Sequence, residues 1–165
     1  MVTRLCLLVV FSVVACSDQT PPGEVEILSA VFSDARSNIV EGRTLVLSPR
    51  VHTRNYGGHR PLEVPDSILS EAVLRTLADR GVPIDSSQAL PDTSVAVLTF
   101  TPVVRTSSGR YELFADILEI DPPEYGSGYS NEWRYTVECE ADRCTVVGKS
   151  HTTHSDFEIV GSGKE

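Results

Sequence analysis

Hydrophobic positions along this chain follow two regimes, helical spacing in the first half and alternation in the second. Val25, Leu28, Val31, Phe32 and Ala35 recur at helical intervals, and Glu24 and Glu26 stand in the first turn, where the helix dipole favours acids. The spacing predicts a helix from Glu24 to about Asp34. Thr44-Leu45-Val46-Leu47, within Arg43 to Ser48, reads as a short strand that Pro49 stops. Arg50 to Pro65 has no periodicity and several turn-formers. A second helix follows, capped by Asp66 or Ser67, with Glu71 early and an apolar face of Ile68, Leu69, Ala72, Val73, Leu77 and Ala78. Gly81 ends it and Pro83 lies just beyond.

After another loop the pattern changes. Ser94 to Arg105, Arg110 to Ile120, Asn131 to Glu140 and Cys144 to Thr153 are strand-like, with turns at Thr106-Ser107-Ser108-Gly109 and at Glu140 to Arg143. Trp133, Tyr135, Val137 and Cys139 alternate with Arg134, Thr136 and Glu138, as in a half-buried strand with one wet face. The expected fold class is α+β: two helices packed on a four- to five-stranded, mainly antiparallel curved sheet, its last four strands a meander. This element order resembles the nuclear-transport-factor-2-like cone folds, which would imply a pocket between sheet and helix.

The first fifteen residues follow a different logic. Arg4 precedes an apolar run from Leu5 to Val14, and small Ala15 precedes Cys16. A spanning helix needs roughly 20 apolar residues, so this shorter run fits an export signal. Val13-Val14-Ala15-Cys16 resembles the lipobox of bacterial lipoproteins. The resemblance implies cleavage before Cys16 and lipid attachment there, and Ser17 beside it fits sorting to the outer rather than the inner membrane. The alternative is an ordinary cleaved signal that leaves Cys16 a spare thiol. The implied organisation is a signal peptide over 1–15, a lipidated Cys16 with a linker to residue 23 containing Pro21-Pro22, one globular domain over 24–160, and a frayed tail over 161–165. The location would be the cell envelope, facing the periplasm.

Composition narrows the partners. The chain has 14 Lys and Arg against 23 Asp and Glu, a formal net charge of −9, and losing Arg4 makes the remainder more acidic. Such a balance argues against nucleic acid or anionic lipid held by a general basic surface. Of the four cysteines, Cys6 leaves with the signal and Cys16 takes the lipid. Cys139 and Cys144 remain, and an oxidising compartment would bridge them. Metal binding by that pair would need further ligands, and redox catalysis would favour a Cys-x-x-Cys spacing. No metal and no cofactor are expected.

Four stretches are candidate sites. Arg50, His52, Arg54, His59 and Arg60, with Tyr56 and Gly57-Gly58 among them, form a cationic patch able to take an anion or an acidic partner; the plainer reading is a solvated connector. His151 and His154, with Asp156 close by, invite a metal. On a strand, residues three apart point to opposite faces, so the pair could share an ion only where the strand ends or bulges, and solvent-facing strand-end histidines are the simpler reading. Asp116 lies between Phe114 and Leu118, where an apolar setting would suit acid–base work; the uniformly apolar Tyr111, Leu113, Ala115 and Ile117 argue that Asp116 belongs to the wetter face instead. The loop Asp121 to Tyr129 could close over a ligand or simply join two strands.

Nucleotide and hydrolase fingerprints, such as Gly-x-x-x-x-Gly-Lys, Gly-x-Ser-x-Gly and His-Glu-x-x-His, are absent. The sequence therefore favours a lipid-anchored, non-enzymatic binding or accessory domain, held to the membrane and meeting an envelope protein or a small ligand. A cone-shaped ligand-binding protein or enzyme is the alternative.

Overall fold

The computed structural model describes residues 23–51, 67–85, 93–121, 127–140 and 143–158. Two helices, α1 (Glu24–Arg36) and α2 (Glu71–Asp79), accompany strands β1 (Thr44–Val51), β2 (Ser67–Ile68), β3 (Val95–Phe100), β4 (Val104–Arg105), β5 (Tyr111–Ile120), β6 (Ser127–Glu140) and β7 (Arg143–Glu158). They form one mixed sheet in the order β2-β1-β3-β5-β6-β7, with β4 pairing with β5 off this path. The β1–β3 pair is parallel, from Thr44 opposite Val95 to Leu47 opposite Leu98, while β3–β5, β5–β6 and β6–β7 are antiparallel. Parallel neighbours need a crossover, and the chain makes it through α2.

One face of the sheet carries the core. Leu45, Leu47, Ala96, Leu98, Phe100, Leu113, Ala115, Ile117, Tyr135 and Val137 are buried there in a single cluster with Ile27, Leu28, Val31, Phe32, Val73 and Leu77 of the helices. The registers agree, since Leu47, Leu98 and Ile117 lie in one row and Leu113 faces Tyr135. A fully buried aliphatic or aromatic side chain contributes about 1.5–3 kcal/mol, so this two-layer packing is what holds the sheet and helices together. Glu26 of α1 also meets Arg80, just past α2, at 2.6 Å. That contact holds the Glu26 carboxyl below its ordinary value, the Arg80 hydrogen bond outweighing partial burial.

The α+β expectation holds, but the sheet is mixed and has more strands than the four to five expected. Pro49 does not stop β1. The β1–β3 register breaks between Leu47 and Val51, so the missing Pro49 N–H falls where regular pairing is already interrupted, while its carbonyl accepts from Leu69 N at 2.8 Å. The second helix starts later than expected, because Ser70 caps it by accepting from Val73 N at 3.3 Å. Ser67 and Ile68 instead pair with β1, and Ile68 is two-thirds exposed rather than on the apolar face. Gly81, at φ 81°, closes that helix as expected, with Val82 N bonding back to Leu77 O at 3.0 Å. The expected strand over Ser94 to Arg105 is two pieces, broken around Pro102. The last hairpin runs further than expected at its open end, to Ser127 on β6 and Glu158 on β7.

Cys139 and Cys144 form a disulfide across the mouth of this hairpin, directly opposite one another with Cα atoms 4.1 Å apart. Residues 1–22 and 159–165, and with them Cys16 and the terminal tail, lie outside the described residues.

Candidate functional site

The β6–β7 ladder steps irregularly at one point. Glu132 faces Thr153 and the next residue, Trp133, faces His151, so Thr152 is one residue extra on β7. Its hydroxyl anchors the bulge by contacts to Glu132 O at 2.9 Å and Glu132 Oε1 at 2.8 Å. An extra residue shifts the alternation by one. His151 is therefore paired with Trp133, and His154 with Asn131, two residues apart on β6 and so on one face. The bulge that a shared face required is present, and both histidines are solvent-exposed, as the simpler reading expected. Asn131 and Trp133 in turn face Ile117 and Ala115 of β5, so both imidazoles stand on the helix-bearing side of the sheet.

Around Asn131 the contacts converge. Its Oδ1 lies 3.3 Å from His151 Nε2 and 2.8 Å from His154 Nδ1, and the second ring nitrogen of His154 lies 3.0 Å from Asp156 Oδ1. Trp133 meets the His151 ring edge-on at 4.8 Å, and Tyr129 lies 5.9 Å from His154. Lys149, paired with Tyr135 two steps further along the ladder, holds its ammonium 4.5 Å from the Trp133 ring centre and 2.8 Å from Asp34 Oδ2 of α1. Helix α1 packs on β7, whereas His151 to Asp156 are exposed. The face thus passes from a helix-covered half with Tyr135 fully buried to an open half with two imidazoles, an amide and a carboxylate. Burial first, then the Asp34 carboxylate, push the Tyr135 phenol above its ordinary value.

The end of the sheet nearest Tyr129 is closed by an ion pair. Glu119, 3% exposed, takes a 2.7 Å bond from Arg43 Nη1, and Arg43 Nη2 donates to Ile120 O at 2.9 Å. Arg43 immediately precedes β1 and Glu119 is the penultimate residue of β5, so the pair fastens the turn after α1 to the sheet. Burial, then the neighbouring Glu119 carboxylate, raise the Tyr129 phenol.

Asp116 is on the face opposite the core and accepts from the Ser130 hydroxyl, while Leu113, Ala115 and Ile117 are buried; the wetter-face reading is correct. Arg50 is exposed near the end of β1, and His52, Arg54, His59 and Arg60 lie outside the described residues. Of the loop Asp121 to Tyr129, residues 122–126 lie outside them too, while Ser127 to Tyr129 belong to β6 rather than to a lid. Asn131, Trp133, Lys149, Arg43 and Glu119 were not singled out by sequence. The alternation already put Trp133 on the inward face, but nothing local signals which residue opposes a bulge.

Among the described residues, no group of three or more His, Cys, Asp and Glu is arranged to hold a metal ion, and no helix is long and apolar enough to cross a membrane. No protein-family model, no curated protein and no solved structure matches this chain.

Proposed function

We propose that this chain is a lipid-anchored cell-envelope protein, tethered through Cys16, whose folded part is a non-enzymatic binding or accessory domain. The observation that carries the reading is the Cys139–Cys144 disulfide. A bridge of this kind persists in oxidising compartments and is rare in the cytosol, which agrees with an export signal over residues 1–15, cleaved before Cys16. The outer membrane, facing the periplasm, is the location favoured by Ser17. A single acyl chain gives only marginal binding, so a stable tether would use more than one.

Surface binding is favoured over enclosed catalysis by the packing of the described residues. Leu28, Val31, Leu98, Leu113 and Tyr135 are each at most 1% exposed, so the described helices sit closely on the inner face of the sheet. The accessible chemistry is on the surface, above all on the open half of the β6–β7 face, where a partner protein or small ligand would be met.

Fractionation of cells expressing the wild type and Cys16→Ser tests the tether. The wild type should sediment with membranes and resist a salt wash, whereas Cys16→Ser should leave the lipid-bearing fraction. Equal membrane retention of both would refute it. Cross-linking on native membranes, followed by identification of the adduct, tests the binding role.

A further inference from the structure

On the open half of the β6–β7 face, where the proposed binding role also points, the bulge at Thr152 brings two imidazole nitrogens to one amide oxygen. We propose that His151 and His154 form a surface site for a divalent late first-row transition cation, Cu(II) most tightly, with the Asn131 amide oxygen as a further donor and Asp156 orienting His154 from outside.

The Asp156 carboxylate, 3.0 Å from His154 Nε2, only accepts when ionised, so it holds the ring proton on Nε2. Nδ1 then directs its lone pair at Asn131 Oδ1, 2.8 Å away and itself an acceptor. His151 Nε2 lies 3.3 Å from the same oxygen, and in its Nδ1–H tautomer it brings a second lone pair there. Two imidazole nitrogens and an amide oxygen therefore meet in one small region, and a cation between them satisfies all three. With the amide turned end for end, Nδ2 would instead donate to both rings and no ion would be needed; the titration below separates the two arrangements.

Coordination chemistry selects the ion. Imidazole suits Zn, Cu and Ni rather than Mg or Ca, and affinity for divalent ions peaks at Cu(II), which also favours tetragonal nitrogen–oxygen sites. Asp156 is on the far nitrogen of His154, so it is an orienting partner and not a third ligand, in keeping with the carboxylate–histidine–metal arrangement. Only two nitrogens come from the protein. Water would fill the remaining positions, and the ion would exchange, unlike zinc in a closed four-ligand site. The exposure of His151 to Asp156 supplies the entry path.

The full chain in detergent, stripped of metal by a chelator, is titrated with Cu(II) and followed by calorimetry and electron paramagnetic resonance. The expected result is one Cu(II) per chain with coupling to two nitrogens, and weaker binding of Ni(II) and Zn(II). His151→Ala and His154→Ala should each weaken binding by at least about ten-fold and leave one coupled nitrogen. Asp156→Asn should weaken it about ten-fold with both nitrogens kept. These side chains are exposed, so the variants retain the fold, and Thr153→Ala serves as the unaffected neighbour. No Cu(II) binding, or binding that survives both single histidine substitutions and is lost on replacing His52 and His59, would overturn the proposal.

Discussion

At the scale of single residues, the sharpest energetic feature is the Arg43–Glu119 pair, with side chains 11% and 3% exposed. Removing one partner from a buried ion pair leaves an uncompensated charge and costs about 3–5 kcal/mol, whereas replacing both by apolar groups is often near neutral. Arg43→Met should therefore lower unfolding free energy by about that amount, and Arg43→Met with Glu119→Leu should recover most of it in a urea titration. A loss below about 1 kcal/mol in the single variant would place the pair among surface bridges instead. The phenols give a second test. Tyr129 and Tyr135 are both held protonated more firmly in the folded chain, chiefly by burial. Their contribution is therefore complete below the ordinary tyrosine range of about 10 and is lost as pH rises through the folded values. Phenolate absorbance should develop in more than one step, with stability falling above about pH 10; a single step at the ordinary value with flat stability would contradict it. The Arg43–Glu119 pair was not legible beforehand. Glu119 is acidic on a strand whose inward face is otherwise apolar, and only its distant partner, 76 residues away, explains its burial.

At the scale of elements, local signals were read well where the determinant is local. The helical spacing of Val25, Leu28, Val31 and Phe32 located α1, and the alternation around Tyr135 located β6 and its inward face. The uniformly apolar row of Leu113, Ala115 and Ile117 likewise settled the side on which Asp116 stands. What escaped is set by pairing between strands. The parallel β1–β3 contact depends on a crossover through α2, Pro49 survives because the ladder is already irregular beside it, and Thr152 is extra only relative to β6. The hairpin disulfide is an element-scale device that was legible, since short spacing across a turn brings two strand-end cysteines opposite each other. The loop it closes is short, so chain entropy assigns it about 2 kcal/mol. Replacing Cys139 and Cys144 together by Ser should lower the unfolding free energy by about that much without loss of the fold, as read by circular dichroism and urea titration. An unchanged urea midpoint would mean the bridge does not constrain the unfolded chain.

At the scale of the whole molecule, an acidic two-layer domain presents a continuous sheet face, half roofed by α1 and half open, with the paired histidines on the open half. The acidic charge and the buried inner face of the described sheet are the two features on which the proposed surface-binding role rests. The proposed tether is read from the sequence alone and the disulfide from the fold, and the proposal requires one oxidising compartment for both. Intact-mass spectrometry of the protein recovered from membranes tests that agreement most directly. The predicted mass is that of a chain beginning at an acylated Cys16 with Cys139 and Cys144 oxidised; a chain that keeps Met1, with both of those thiols reduced, would contradict it.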